Sequence, residues 1–263
     1  EISVRDWSSD VCSSDLGVGI ALLESLRQLD LGVSTLVSTG DRYDVSGNDL
    51  LLWWRCDSGT EIAVLYLESF GNPRKFVRFA RALARTKPVL AVRAASSDVA
   101  QQAAASHTAA AATPAVTRDA LYQQAGVIAV DTVTELVDLV AALSWQPLTA
   151  GTRVAVLSTA GGTGVLAADA CVHKGLTVAG FAADTTSALR ALLPATASVA
   201  NPVDTTAVVA ADTFGTCLET LLGDEGVDAV IVAGVPTALG DPLAEVARSE
   251  EHTSELQSRT LIS

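Results

Sequence analysis

The chain has 263 residues, 49% of them hydrophobic, which suffices for one large domain or two ordinary ones with cores of their own. A formal net charge of −13 argues against a phosphate-backbone contact surface, and hence against a nucleic-acid partner. No apolar run of spanning length and no signal peptide can be read, and the four Cys lack paired spacing, so the expectation is a cytoplasmic chain with no membrane association, no disulfide framework and no metal site.

Residues 6–16 (DWSSDVCSSDL) and 248–258 (RSEEHTSELQS) back-translate, codon by codon, to the two strands of a short-read sequencing adapter. The flanks 1–5 and 259–263 fit one shared index. Segments 1–16 and 248–263 are therefore expected to be adapter-derived and are set aside from fold reasoning. The absence of Met fits an internal piece of a longer chain.

Between the two tails, short β-branched runs alternate with longer amphipathic runs, the pattern of an α/β fold with mostly parallel strands. The periodicity predicts a helix over 18–31 stopped at Gly32, a strand over 33–38, a helix over 47–55 with Trp53 and Trp54 as packing residues, and the very apolar strand 62–67. Helix 73–86 follows, with Asn72 ahead of Pro73 as its start. Its Arg74, Lys75, Arg78, Arg81 and Arg85 read as a solvated face. Strand 88–93, the uncharged loop-like stretch 99–117, helix 114–124, strand 126–130 and helix 132–144 complete the first half.

Segment 145–152, with Pro147 and Gly151, is the expected domain boundary. Beyond it the pattern gives strand 153–158, helix 162–174 stopped by Gly175, strand 176–181, helix 186–193, a turn at Asn201-Pro202-Val203-Asp204, helix 210–223 and strand 228–233. Gly17-Val18-Gly19 through Leu31-Gly32-Val33 aligns without gaps to Gly162-Thr163-Gly164 through Leu176-Thr177-Val178, which points to two similar units in tandem. The first unit is expected to lack the strand that should precede Gly17.

The strongest local motif is Ser158-Thr159-Ala160-Gly161-Gly162-Thr163-Gly164, after a strand and opening a helix. Glycines there admit a ligand close to the backbone, and free N–H groups at a helix start favour an anion. The spacing matches neither a Walker A loop nor a dinucleotide fingerprint, so a plain tight β–α turn fits the spacing equally well. His107 sits on the small-residue loop, where it is either a nucleophile or base or a solvated bystander. Glu68 ends strand 62–67 at the edge where α/β folds bind ligands; it either orients an imidazole or serves as a loop carboxylate. His173 suits its helix end, and Cys56, Cys171 and Cys217 read as small packing residues. Asp41, Asp44 and Asp49 complete no metal-ligand pattern.

The stretches VSTGDRYDVSGNDLL, LYLESFGNPRKF, KPVLAV, AAASHTAAAATPAV, LYQQAGVI, QPLTAGTRVAVLSTAGGTGVLAADA and ANPVDTTA stand in the order seen in NDP-forming acyl-CoA synthetases, a family similar to succinyl-CoA synthetase. The chain resembles that family over essentially all of 17–247, most of all its actinobacterial form, often fused to a GNAT acetyltransferase. The resemblance implies α/β architecture in two tandem flavodoxin-like, three-layer domains with mostly parallel sheets: 17–146 with a phosphohistidine loop, and 152–247 as a second, truncated ligase domain.

The same resemblance implies an acid–thiol ligase of the ADP-forming acetate–CoA type. In the family, phosphate and acyl-CoA give acyl phosphate, which phosphorylates a histidine on a mobile loop that then meets ADP. His107 matches that histidine and Glu68 the carboxylate that orients it. Ser158, Thr159, Ala160, Gly161, Gly162, Thr163 and Gly164 match one of two helix starts that bind the phosphohistidine. Ser106, Thr108, Asn201 and Asp204 are candidates for loop support. The implied reactants are CoA or acyl-CoA, phosphate, and ADP or ATP with Mg in the full-length parent, none of them expected on this fragment alone. The implied partners are a CoA-binding Rossmann domain and an ATP-grasp domain, on the same chain or a partner subunit, and a GNAT domain. Ala109 and Thr159 depart from the usual Gly and Asn. A rival reading is a non-catalytic acyl-CoA-sensing module that regulates a protein lysine acetyltransferase.

Overall fold

The computed structural model describes residues 8–13, 16–39, 45–67, 70–93, 113–235 and 260–262. The chain divides into two units between Ser144 and Trp145. In the first, β1 (Ser8–Ser13), α1 (Leu16–Gln28), β2 (Gly32–Ser38), α2 (Gly47–Trp54), β3 (Ile62–Tyr66), α3 (Pro73–Ala84), β4 (Val89–Val92), α4 (Ala115–Ala125), β5 (Ile128–Val130) and α5 (Val133–Trp145) follow one another. The sheet order is β2-β1-β3-β4-β5, and every neighbouring pair is parallel.

Strands β3 and β4 are apolar throughout because both their faces are covered. Ala63, Leu65, Val89 and Ala91 face a core shared with Leu51, Trp54, Phe76, Leu83 and Tyr122 of α2, α3 and α4. Ile62, Val64, Leu90 and Val92 face a second core with Leu22 and Leu26 of α1 and Leu136 and Val140 of α5. Alternate residues of one strand thus feed opposite cores, which makes the unit three-layered.

The second unit holds β6 (Arg153–Ser158), α6 (Gly161–His173), β7 (Thr177–Val178), α7 (Ala183–Leu192), β8 (Val203–Asp204), α8 (Ala211–Leu222), β9 (Ala229–Ala233) and β10 (Thr260–Ile262). Its parallel sheet runs β10-β9-β6-β7, with β8 also beside β6. Ala155, Leu157 and Val230 pack under Leu189 of α7 and Phe214, Leu218 and Leu221 of α8. Val154 and Ala229 meet Cys171 of α6 on the other face.

Five sequence expectations change. The place ahead of Gly17, expected to be empty, is taken by β1, which lies between β2 and β3. Parallel pairing uses backbone N–H and C=O groups that any residue supplies, so Ser8–Ser13 fills it irrespective of origin. Helix α1 stops not at Gly32 but at Asp30, whose φ of 55° is left-handed and which lets the Leu31 amide reach back to the Leu26 carbonyl. The strand expected over 176–181 shrinks to Thr177–Val178, and Asn201–Asp204, read as a turn, delivers β8. Of the two tryptophans, Trp54 is fully buried whereas Trp53 is largely exposed. The basic face of α3 is exposed as expected.

Candidate functional site

Strand β6 runs into α6 through Thr159 and Ala160. Ser158 is wholly buried; its hydroxyl and that of Thr163 lie 2.8 Å apart, and both are within hydrogen-bond reach of the Ala160 carbonyl, 2.7 Å from each. The Ala160 amide donates back to the Ser158 Oγ at 3.1 Å. These bonds shape the turn, so Ser158 and Thr163 act on its geometry. Thr159 is also buried; its Oγ1 accepts from the Val235 amide at 3.0 Å, and its own amide donates to the Ala233 carbonyl. The turn is thereby tied to the exit of β9.

The N-cap of α6 is Ala160, which has no side-chain oxygen to close the helix start. Among the described residues, the amides of Gly161, Gly162 and Thr163 meet no acceptor, so they can receive an external anion along the helix axis. Space agrees with charge. A Cβ on Gly162 would touch nothing within 4 Å, which leaves an open approach, whereas one on Gly164 would stand 3.3 Å from the Pro202 Cβ and 3.4 Å from that of Ser158.

The segment 201–206 supports this helix start from the side. Asn201 donates Nδ2 to the carbonyls of Val154 (2.8 Å) and Ala179 (2.9 Å), and its Oδ1 accepts from the Val156 amide at 2.9 Å. The β6–β7 ladder covers only Arg153–Val154 against Thr177–Val178, and the Asn201 carboxamide continues it where the strands part. Immediately afterwards Val203 and Asp204 pair with Leu157 and Ser158, and the Thr205 amide donates to the Ser158 carbonyl. Asp204 accepts from the Thr206 amide through Oδ1, while Oδ2 would lie 2.8 Å from a Cβ on Gly161. Asn201, Asp204 and the 158–164 turn are thus one construction.

Glu68, Ser106, His107 and Thr108 lie outside the described residues. The last described residues before those two gaps, Leu67 and Arg93, follow neighbouring parallel strands whose ends pair Tyr66 with Val92. Leu67 and Arg93 themselves therefore stand at the carboxyl edge of the sheet, where open α/β sheets bind ligands. Arg93 is anchored there by Asp131 (2.8 Å) and Asp119 (3.3 Å). Sequence reasoning passed over Arg118 and Tyr122 of α4, both buried. The signal was present: Arg118, Tyr122 and Ala125 form the buried stripe of that helix, and a charged residue stands on it.

Among the described residues no group of three or more His, Cys, Asp or Glu could hold a metal ion, and no helix is long and apolar enough to cross a membrane. Cys171 and Cys217 are buried free thiols pushed up by desolvation, Cys217 to about 11, which suits packing and not nucleophilic chemistry.

Residues 11–143 match the succinyl-CoA-ligase-like flavodoxin domain, and residues 154–261 match the ligase-CoA domain. An ADP-forming acetate–CoA ligase of Methanocaldococcus jannaschii is 37% identical over 70% of this chain and 26% of its own length. The alpha subunit of ADP-forming acetate–CoA ligase II of Pyrococcus furiosus is 34% identical over 87% of this chain and 50% of its own. The acetyl-coenzyme A synthetase 1 of Candidatus Korarchaeum cryptofilum, solved in complex with phosphate and ADP, superposes with a TM-score of 0.90 at 28% identity, over 97% of this chain and 56% of that one. The chain thus spans between a quarter and a half of the length of these curated relatives.

Proposed function

Because the chain belongs to the succinyl-CoA-ligase-like family, with a flavodoxin-like first domain and a ligase-CoA second domain, we propose that it is the central part of an NDP-forming acyl-CoA synthetase. In this reading phosphate displaces CoA from acyl-CoA to give acyl phosphate and free CoA. An imidazole nitrogen of His107 then takes the phosphoryl group and releases the carboxylic acid. The phosphohistidine finally passes its phosphoryl group to ADP, giving ATP and free histidine.

The observation that carries the reading is the start of α6. It opens at the carboxyl end of a buried parallel strand, has no side-chain cap, and presents the amides of Gly161, Gly162 and Thr163 with open space at Gly162. Such a terminus stabilises a phosphoryl group without a lysine or arginine. Glu68 would hold the tautomer of His107 by accepting its other N–H. Thr159 supports the turn from behind, so its replacement of the usual Asn leaves the amides available. Mg and nucleotide would be held by an ATP-grasp part, on this chain's parent or a partner subunit. The other of the two helix starts that the family resemblance implies and a CoA-binding Rossmann domain complete the reading.

The test is phosphoenzyme formation by the full-length parent with acetyl-CoA and radiolabelled phosphate. The expected product is an acid-labile, alkali-stable label that disappears in His107→Ala and falls strongly in Glu68→Gln. Label persisting in His107→Ala overturns the assignment.

A further inference from the structure

Arg118 lies in the opening turn of α4, is 2% exposed, and its Nε and Nη2 meet no hydrogen-bond acceptor among the described residues. A guanidinium held out of water without an oxygen partner is costly, and proteins normally pair it. The carboxylates of Asp119, the next residue, and of Asp131 are both engaged by Arg93 instead. One turn further along the same face, Tyr122 is 1% exposed and its hydroxyl is likewise without a partner among the described residues. Its ring packs edge-on against Phe70 at 5.4 Å, just after β3. Asn48 of α2 donates to the Phe70 carbonyl at 3.3 Å. Arg118 and Tyr122 therefore put three unused donor atoms beside the carboxyl edge of the first sheet.

The edge that Arg118 leaves empty has a definite use elsewhere in the molecule. Arg153 clamps both oxygens of Asp228 with its Nε (3.0 Å) and Nη2 (2.6 Å), and Arg27 clamps Glu24 in the same manner at 2.9 and 2.8 Å. Nε and Nη2 lie on one side of the planar guanidinium and match two oxygens of a carboxylate or phosphate. From this geometry we infer that Arg118, assisted by the Tyr122 hydroxyl, is a buried bidentate clamp for an oxyanion. The clamp stands on the first unit's own geometry; the choice of phosphate as the first probe rests on the function proposed above.

Equilibrium dialysis of the full chain against radiolabelled inorganic phosphate, at ionic strength matched with chloride, tests this. The expected result is a site with at least tenfold weaker binding in both Arg118→Gln and Arg118→Lys, any phosphate held at the α6 start remaining as a constant background. Arg118→Lys keeps the charge without the fork, so it remains informative if Arg118→Gln does not fold. Phosphate binding indifferent to Arg118 overturns the inference. A parent that fails to phosphorylate His107 would sink the synthetase reading yet leave Arg118-dependent phosphate binding intact, so the two failures are distinguishable.

Discussion

At the scale of single residues, the α6 start separates side chains that build the site from positions that leave it open. Gly162 faces open space, so Gly162→Ala is expected to keep or raise stability, since Ala is the better helix former by about 1 kcal/mol. The added methyl at the open helix start should nevertheless weaken phosphate binding, as isothermal titration would read. Gly164→Ala is the converse case. Its methyl would press on Pro202 and Ser158, and overpacking of that kind costs about 1–3 kcal/mol, measurable by urea denaturation. Asp204 stands beside Gly161, where its charge favours the empty helix start and opposes an arriving anion. Asp204→Asn should therefore tighten phosphate binding about twofold to fivefold, the effect of 0.3–1 kcal/mol. The motif itself was legible because an apolar strand running into Ala-Gly-Gly is a local pattern. The roles of Ser158 and Thr159 were not, because their partners include Ala233 and Val235, which the chain reaches only after three more helices.

At the scale of elements, α2 shows how a short helix is held at its start. Ser46 donates both its amide and its hydroxyl to the Asp49 carboxylate, at 3.0 and 2.6 Å, and these bonds hold that carboxyl below its ordinary value. A carboxyl depressed in the folded state adds stability above its unfolded value, and that stability is lost as the pH falls through the folded one. Acidification from neutral pH is thus expected to loosen α2 in the acid range below about pH 4, and Asp49→Asn should be weaker at neutral pH but less sensitive to acid; circular dichroism melts across that range test it. Asn201 joins β6 to β7 with three bonds to backbone groups. Asn201→Ala leaves those groups unpaired and should cost about 2–4 kcal/mol, while Asn201→Asp, which cannot donate, should recover little. Helices and strands with strong periodicity were readable in advance to within a few residues, α3 and β6 best of all. The short strands β7 and β8 were misjudged, because a carboxamide 45 and 47 positions away completes the ladder and no local pattern announces that.

At the scale of the whole molecule, each unit has cores drawn from its own elements. Residues 1–144 and 145–263, produced separately, are expected to give cooperative thermal transitions; a broad, non-cooperative melt of either would mean that it depends on the other. The centre of the first sheet adds a further consequence. Strand β1 stands between β2 and β3, bonded on both sides and paired from Ser8 to Ser13, yet its residues were assigned on sequence grounds to adapter and not to selection. Deleting residues 1–14 would then open a slot flanked by two unsatisfied backbone edges instead of removing a peripheral strand. Such a slot is a receptor for a peptide. The shortened chain should capture, in trans, a synthetic strand with the continuous apolar run that two covered faces demand, and bind it more tightly than the six residues that occupy the place now. Fragment complementation of that kind would turn the oddest stretch of this sequence into a handle for recovering what its parent carries there.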